Sequence, residues 1–311
     1  MSKILIAGIG GVGGYFGGVL AKSFHERDDV SICFMARGEN LKAIKQNGLR
    51  VTKGTTQFSV FPDMVSDNSP DFGKVDYIIL CTKSYDIEET LSKMNSCVGD
   101  QTVFLPLLNG VDSAEKVKAA YPGNLVADGC VHILSRLAEP GHVRNMGNSQ
   151  SIFFGVQNTD DPRLNFLNNL FKQAGIDAIL TKDITAKIWE KFIFISATAT
   201  ATSYYNKTFG EINQCEDCCS SLRLLIDECY MLAQCKNIAL PADIKEQVWN
   251  KILSLIPEAT TSMHTDYLSG RHNTEVKSLT GYVVEEAIKY NFSTPQYLEM
   301  YDDLIRRRPR D

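Results

Sequence analysis

No stretch of this sequence stays apolar for the roughly 18 continuous residues a bilayer-spanning helix needs, so no membrane segment is expected. Positive charge is not in excess either. The 32 Lys and Arg stand against 37 Asp and Glu, a net charge of −5, and a nucleic-acid partner is not expected. Four arginines close the chain in "IRRRPRD" (Arg306, Arg307, Arg308 and Arg310), but Asp302, Asp303 and Asp311 offset them, and the segment reads as a solvated end. Internal repeats and low-complexity linkers are lacking. The nine cysteines are odd in number and follow no framework spacing, which favours reduced thiols and a cytoplasmic setting. In "CEDCC", Cys215, Cys218 and Cys219 resemble half a metal site, yet no His or Cys pair follows at zinc spacing, and no metal is expected. Instead Cys215, Cys218, Leu222, Leu225, Cys229 and Leu232 step by three and four, as the apolar stripe of an amphipathic helix does. The opening "MSKILIAGIGGVGGYFGGVLA" has the apolarity of an export signal. Its glycines break the run in a pattern with a different meaning, and export is not expected.

What is present divides into two grammars. At 311 residues, with 44% hydrophobic and 22% charged residues, the chain has the size and composition of a two-domain soluble protein. Up to about residue 180, the runs "KILIAG", "VSICFMA", "VDYIILCT", "TVFLPLL" and "LVADGCVHI" read as buried strands separated by turn or helix material. That alternation predicts a parallel sheet with crossover helices. "GHVRNM" and "SIFFGV" are expected as an antiparallel addition to its edge. Beyond "KDITAKIWEK" the period becomes helical, with segments near 183–203, 208–236, 241–256, 258–270, 275–291 and 295–307. Gly210, Pro241, Pro257, Gly270 and Pro295 punctuate them.

The first strand ends in a glycine loop. Gly8, Gly10 and Gly13 have the G-x-G-x-x-G spacing, directly after a strand and at the opening of a helix. In that context Gly8 permits a tight turn, Gly10 a close approach of a pyrophosphate to the backbone, and Gly13 close packing of helix on sheet. The loop Gly8, Ile9, Gly10, Gly11, Val12 and Gly13 is therefore the candidate dinucleotide cradle. The second strand ends in "CFMARGEN", where a guanidinium, Arg37, suits a 2′-phosphate and favours NADP(H). The alternative is a surface arginine, with Glu39 on the ribose. Lys83 in "LCTKSYD" stands at the carboxyl end of another strand, either in cofactor contact or simply exposed. Asn109 in "LLNGVDS" is part of an Asn-Gly turn signal; at a strand's end it also suits a nicotinamide, a substrate carboxylate or a carbonyl oxygen.

In "KIWEKFIFISATATATSYYN" a lysine, Lys191, opens a run of uncharged residues. Ile188, Phe192, Ile195 and Ala199 share one helical face, and Lys191 flanks it. A lysine in such surroundings loses hydration and gives up its proton more readily. The alternative is a side chain that snorkels past Trp189 to water.

Taken together, "GIGGVGG", "ARG", "CTKSYD", "LLNG", "IWEKF" and "TSMHTDYLSGRHNTEVKSLTGYVV" resemble the ketopantoate reductase (2-dehydropantoate 2-reductase) family, from residue 8 to beyond residue 280. The resemblance implies an α/β chain with an N-terminal Rossmann, doubly wound parallel sheet over residues 1–180 and an all-α domain over residues 181–311. It implies NADPH as cofactor and Lys191 as general acid. Asn109 and Ser262 would contact the substrate, Glu275 the nicotinamide end, and Arg37 and Lys83 the adenine-side phosphate and its neighbours. Read from the residues alone, Ser262 is a helix-start cap and Glu275 a first-turn acid. Where the family has asparagines one and two turns after its lysine, this chain has Ile195 and Ala199, with Ser196, Thr198 and Thr200 nearby. Phe209 replaces a further asparagine before Gly210-Glu211, and the stretch from Ser262 to Glu275 is one residue longer. The expected activity is NADPH-dependent reduction of 2-dehydropantoate to pantoate, in pantothenate biosynthesis. Alternatives are reduction of a different small 2-oxo acid, or a non-catalytic regulator that senses NADP(H). The expected partner is a small-molecule 2-oxo acid, with neither nucleic acid nor membrane; self-association as a homodimer stays open.

Overall fold

In the computed structural model, which describes residues 1–307 and only the backbone of Asn148, the apolar runs of the first half form two sheets. Arg308, Arg310 and Asp311 of the arginine-rich end lie outside the described residues. The chain divides into two compact units. One contains Met1–Leu108 and Asp112–Ile184, the other Asn109–Val111 and Thr185–Asp311.

In the first unit, β1 (Ser2–Ala7) leads into α1 (Gly11–Ser23), and β2 (Val30–Met35) into α2 (Gly38–Asn47). A hairpin of β3 (Leu49–Lys53) and β4 (Thr56–Val60) follows, then β5 (Met64–Ser66) and β6 (Val75–Leu80). Next come α3 (Ile87–Lys93), β7 (Val98–Pro106), α4 (Ser113–Ala120) and β8 (Leu125–Val126). The unit closes with β9 (Asp128–Glu139), β10 (His142–Gly155), α5 (Pro162–Gln173) and β11 (Asp177–Leu180).

The six-stranded sheet has the order β5-β2-β1-β6-β7-β8, and each of its pairings is parallel. Its central strands are buried on both faces. Ile4 and Ile6 join one hydrophobic cluster with Ile32, Phe34 and Ile79, while Leu5 and Ala7 join another with Cys33, Ile78 and Leu80. Two-sided cover is why these strands read as continuous rather than alternating apolar runs.

The expected antiparallel addition is not at this sheet's edge. "GHVRNM" and "SIFFGV" are parts of one 14-residue strand, β10, in a separate five-stranded sheet. Residues 142–145 of β10 pair in parallel with β3, and residues 151–154 in parallel with β11. Only its pairing with β9 is antiparallel. A strand this long changes neighbours along its length, so a reading in short apolar runs splits it in two. "LVADGCVHI" likewise covers two strands, β8 and the start of β9, in different sheets.

The second unit is helical: α6 (Ile184–Tyr205), α7 (Phe209–Asn213), α8 (Glu216–Cys235), α9 (Ile244–Leu253), α10 (Ser262–Leu268), α11 (Tyr282–Lys289) and α12 (Pro295–Arg306). A π-helical turn, Lys277–Gly281, precedes α11. Buried residues of α6, α8, α9, α11 and α12 form one core around Phe192, Leu225, Trp249, Val283 and Tyr297. No helix among the described residues is long and apolar enough to cross a membrane.

Two expectations about the cysteines need correction. Cys215 and Cys218 are joined in a disulfide rather than reduced. Cys215 also leaves the apolar stripe: Cys218, Leu222, Leu225, Cys229 and Leu232 are buried, but Cys215 is the N-cap of α8 and only partly buried. The helix begins one residue after it, so its side chain falls outside the helical period.

Candidate active site

The glycine loop joins the carboxyl end of β1 to α1. Gly8 has φ +95°, a left-handed backbone that favours glycine, and a Cβ there would also lie 2.8 Å from Thr82 N. A Cβ on Gly13 would come within 2.1 Å of Gly8 O, so the first turn of α1 packs directly on the loop. At Gly10 the reverse holds: a Cβ would meet nothing within 4 Å. Gly10 is the N-cap of α1 and brings no capping side chain, which leaves the first-turn N–H groups of the helix to an anion. Beside the loop, the Thr82 hydroxyl is buried without a hydrogen-bond partner. An uncapped helix start, open space at Gly10 and an orphaned hydroxyl fit the diphosphate of a dinucleotide.

Asn40 holds this loop in place. Its Nδ2 donates to Ile9 O at 2.8 Å, and its Oδ1 accepts from Gly141 N at 2.8 Å. Arg37, the N-cap of α2, is 73% exposed and donates to Asp86 Oδ2 at 2.8 Å. Asp86 ends a short 3-10 turn, Ser84–Asp86, whose N-cap is the half-buried Lys83. Reading the sequence missed Thr82, Asn40 and Asp86. Position after β6 was the available signal for Thr82 and Asp86; Asn40 had none, since its partners are distant in sequence.

In the helical unit, Lys191 is half-buried on α6 and its Nζ donates to Asn109 Oδ1 at 2.8 Å. Asn109 follows β7 in sequence but groups with the helical unit. Gly110 behind it has φ +103°, so the Asn-Gly turn and the polar role coincide. The neighbours of Lys191 go elsewhere. Lys187 binds Glu190 at 2.9 Å, and Trp189 and Phe192 pack edge-on at 5.4 Å.

One turn on, Ile195 is half-buried, and Ala199 is fully buried. The hydroxyls around them are already committed. Ser196 Oγ donates to Leu279 O at 3.0 Å and lies 2.9 Å from Tyr297 OH. Thr200 pairs with Thr280, and Thr202 with Thr261, each at 2.8 Å. Thr198 Oγ1 bonds back to Phe194 O at 2.7 Å. Phe209 is buried at the start of α7, which is tied by Phe209 N to Ala259 O and by Gly210 N to Pro257 O.

Ser262 is exposed at the first position of α10, and the cap there is Thr261, whose hydroxyl accepts from His264 N. Glu275 is buried two residues before the π turn, and its carbonyl accepts from Leu279 N and Ser278 Oγ. A π turn in a helix frequently marks a functional segment. No group of three or more His, Cys, Asp or Glu among the described residues is placed to hold a metal ion.

Residues 4–158 match the family described as Ketopantoate reductase PanE/ApbA, and residues 183–308 match Ketopantoate reductase PanE/ApbA C terminal. The Uncharacterized oxidoreductase YkpB of Bacillus subtilis (strain 168) is 25% identical over 303 residues, covering 97% of each chain. The 2-dehydropantoate 2-reductase of Halobacterium salinarum is 25% identical over 313 residues, covering 99% of each. The crystal structure of 2-dehydropantoate 2-reductase from Porphyromonas gingivalis W83 is 34% identical with a TM-score of 0.86, covering 98% of this chain and 99% of that one. D-mandelate dehydrogenase, solved with NADH and anilino(oxo)acetate, shares the fold at 21% identity and a TM-score of 0.87, with 98% of each chain covered. Matched over both halves, the chain belongs to the ketopantoate reductase family and is an oxidoreductase.

Proposed function

We propose that the protein is an NADPH-dependent reductase of a small 2-oxo acid, with 2-dehydropantoate, reduced to pantoate for pantothenate biosynthesis, as the first candidate. The observation that carries this reading is the Lys191–Asn109 hydrogen bond at 2.8 Å. An amide oxygen accepts only, so it holds one N–H of the lysine and sets the direction of the ammonium. Lys191 then protonates the oxygen that becomes alkoxide as the ketone is reduced. General acid assistance of this kind is worth about 10²–10⁴-fold, or roughly 3–5 kcal/mol of barrier. A sensor without turnover has no use for an ammonium held in this way.

NADPH, when bound, supplies the hydride to the carbonyl carbon. The chain's own share is binding and orientation. The N–H groups of Gly8–Gly13 and the start of α1 take the diphosphate, with Thr82 as a further donor. Arg37 takes the 2′-phosphate, Lys83 the groups next to it, and Glu275 lies by the nicotinamide end. Asn109 and Ser262 contact the substrate.

A second reading is a 2-oxo acid that lacks the pantoyl hydroxyls. It is favoured by the half-buried Ile195 one turn after Lys191 and by the commitment of Ser196, Thr198 and Thr200 to bonds within the protein. A site without free amides or hydroxyls there gains little from substrate hydroxyls. The test is NADPH oxidation with a panel of 2-oxo acids, with and without hydroxyls on the side chain. Preference for 2-dehydropantoate supports the first reading, and preference for the unhydroxylated acids the second. No turnover with any of them overturns both.

A further inference from the structure

We propose that Cys215 and Cys218 form a reversible thiol–disulfide exchange site that takes electrons from a dithiol reductant, with Cys215 as the sulfur attacked. The two are joined, while Cys33, Cys81, Cys97, Cys130, Cys219, Cys229 and Cys235 take part in no disulfide. Oxidation confined to one neighbouring pair in a thiol-rich chain is the pattern of a redox site rather than of a general disulfide framework.

The geometry separates the two sulfurs by role. Cys215 is partly exposed at the N-cap of α8, and Cys218 is 2% exposed within the core stripe. An incoming thiolate therefore reaches Cys215 and not Cys218. Cys218 N donates to Cys215 Sγ at 3.3 Å, and α8 is 20 residues long, so a thiolate at Cys215 is stabilised by the helix start. The exposed Glu216 and Asp217 between the cysteines oppose that thiolate and favour return to the disulfide. The bridge closes a sequence separation of only three residues, so it restricts the unfolded chain far less than a long-range bond would. α8 is held by Leu222, Leu225, Cys229 and Leu232, and its packing survives opening of the bond. Cys219 is turned away from the exchange, its Sγ donating to Ile212 O at 3.3 Å and Asn213 O at 3.6 Å on α7.

In the reductive direction a thiolate of the dithiol attacks Cys215 Sγ. The Cys215–Cys218 bond breaks, and Cys218 leaves as thiolate and takes a proton. The second thiolate of the reductant then attacks its own sulfur in the mixed disulfide, which forms the reductant's cyclic disulfide and releases Cys215, also protonated from solvent. Two electrons and two protons pass to the protein in all, and a disulfide oxidant runs the same steps backwards.

The test equilibrates the full folded chain in mixtures of reduced and oxidised dithiothreitol, approached from both directions. Acid quenching, unfolding and maleimide labelling then count thiols by mass. The expected result is a reversible change of two labels per chain, from the seven cysteines outside the disulfide to all nine, at a ratio independent of direction. Cys218→Ser should trap glutathione at Cys215, whereas Cys215→Ser should trap none at Cys218. Nine labels at every ratio, seven labels in fully reduced reagent, or equal trapping at either cysteine would overturn the proposal. Should a serine variant fail to fold, the count on the unaltered chain decides alone.

Discussion

The hydrogen bond from Lys191 Nζ to Asn109 Oδ1 at 2.8 Å links the two side chains directly. Lys191→Ala should lower kcat by about 10²–10⁴-fold while NADPH binding, followed by its fluorescence, stays near the original value. Asn109→Ala should cost less, and the double variant should lose less than the sum of the two, as coupled partners do. Strict additivity in that cycle would break the assignment of Asn109 to Lys191. On the cofactor side, Asp86 holds Arg37 at 2.8 Å and neutralises part of the charge proposed for the 2′-phosphate. Asp86→Asn should therefore lower KM for NADPH against NADH by about 2–5-fold, the range of an exposed ion pair. Arg37→Ala should erase the preference. An unchanged cofactor ratio in Asp86→Asn would mean that Arg37 does not read the phosphate.

Within α6, the run "SATATATS" joins the helix to its neighbours through buried hydroxyls: Ser196 donates to the Leu279 carbonyl, and Thr200 and Thr202 pair with the hydroxyls of Thr280 and Thr261. Each hydroxyl is buried, so removing one partner strands the other. Thr200→Val should cost about 1–3 kcal/mol in urea unfolding, and adding Thr280→Val should restore much of it. Equal losses in single and double variants would deny the pair. The uncharged length of α6 was legible in its sequence because burial on all faces excludes charge. The use of the Ser196, Thr200 and Thr202 hydroxyls was not, since their partners lie 59 to 101 residues away. The π turn at Lys277–Gly281 also left no local mark, because an α-helical period continues through it. Strands β1, β2, β6 and β7 were legible for a related reason: cover on both faces makes the central run of each strand nearly continuous in apolar residues. β10 was not, because its pairing changes along its length and no single period describes it. The loop Gly8–Gly13 was plain from spacing, whereas its support by Asn40 depends on contacts across 31 and 101 residues.

Across the whole molecule each unit carries its own hydrophobic core, and in the helical unit a buried histidine couples folding to pH. His264, on α10 two residues after Ser262, is 3% exposed. Its Nδ1 lies 2.6 Å from Thr260 Oγ1 and its Nε2 2.8 Å from Asn206 Oδ1. A neutral ring satisfies both, with Nε2–H donating to the amide oxygen and Nδ1 accepting from the hydroxyl. Burial disfavours the imidazolium and lowers the pKa below 6.5, against the weaker pull of Glu211 in the other direction. The unfolded chain therefore binds a proton more readily than the folded one, and the sign follows. The contribution of His264 is fully present above the unfolded value and is lost as pH falls below about 6.5 through the folded value. The urea midpoint should begin to decline as pH falls through about 6.5, ahead of the carboxylate-driven loss at lower pH. His264→Gln, which keeps one donor and one acceptor, should flatten that first decline and leave the later one in place. An identical decline in the variant would show that the proton is taken up elsewhere, and that burial of His264 does not set the acid limit of the helical unit.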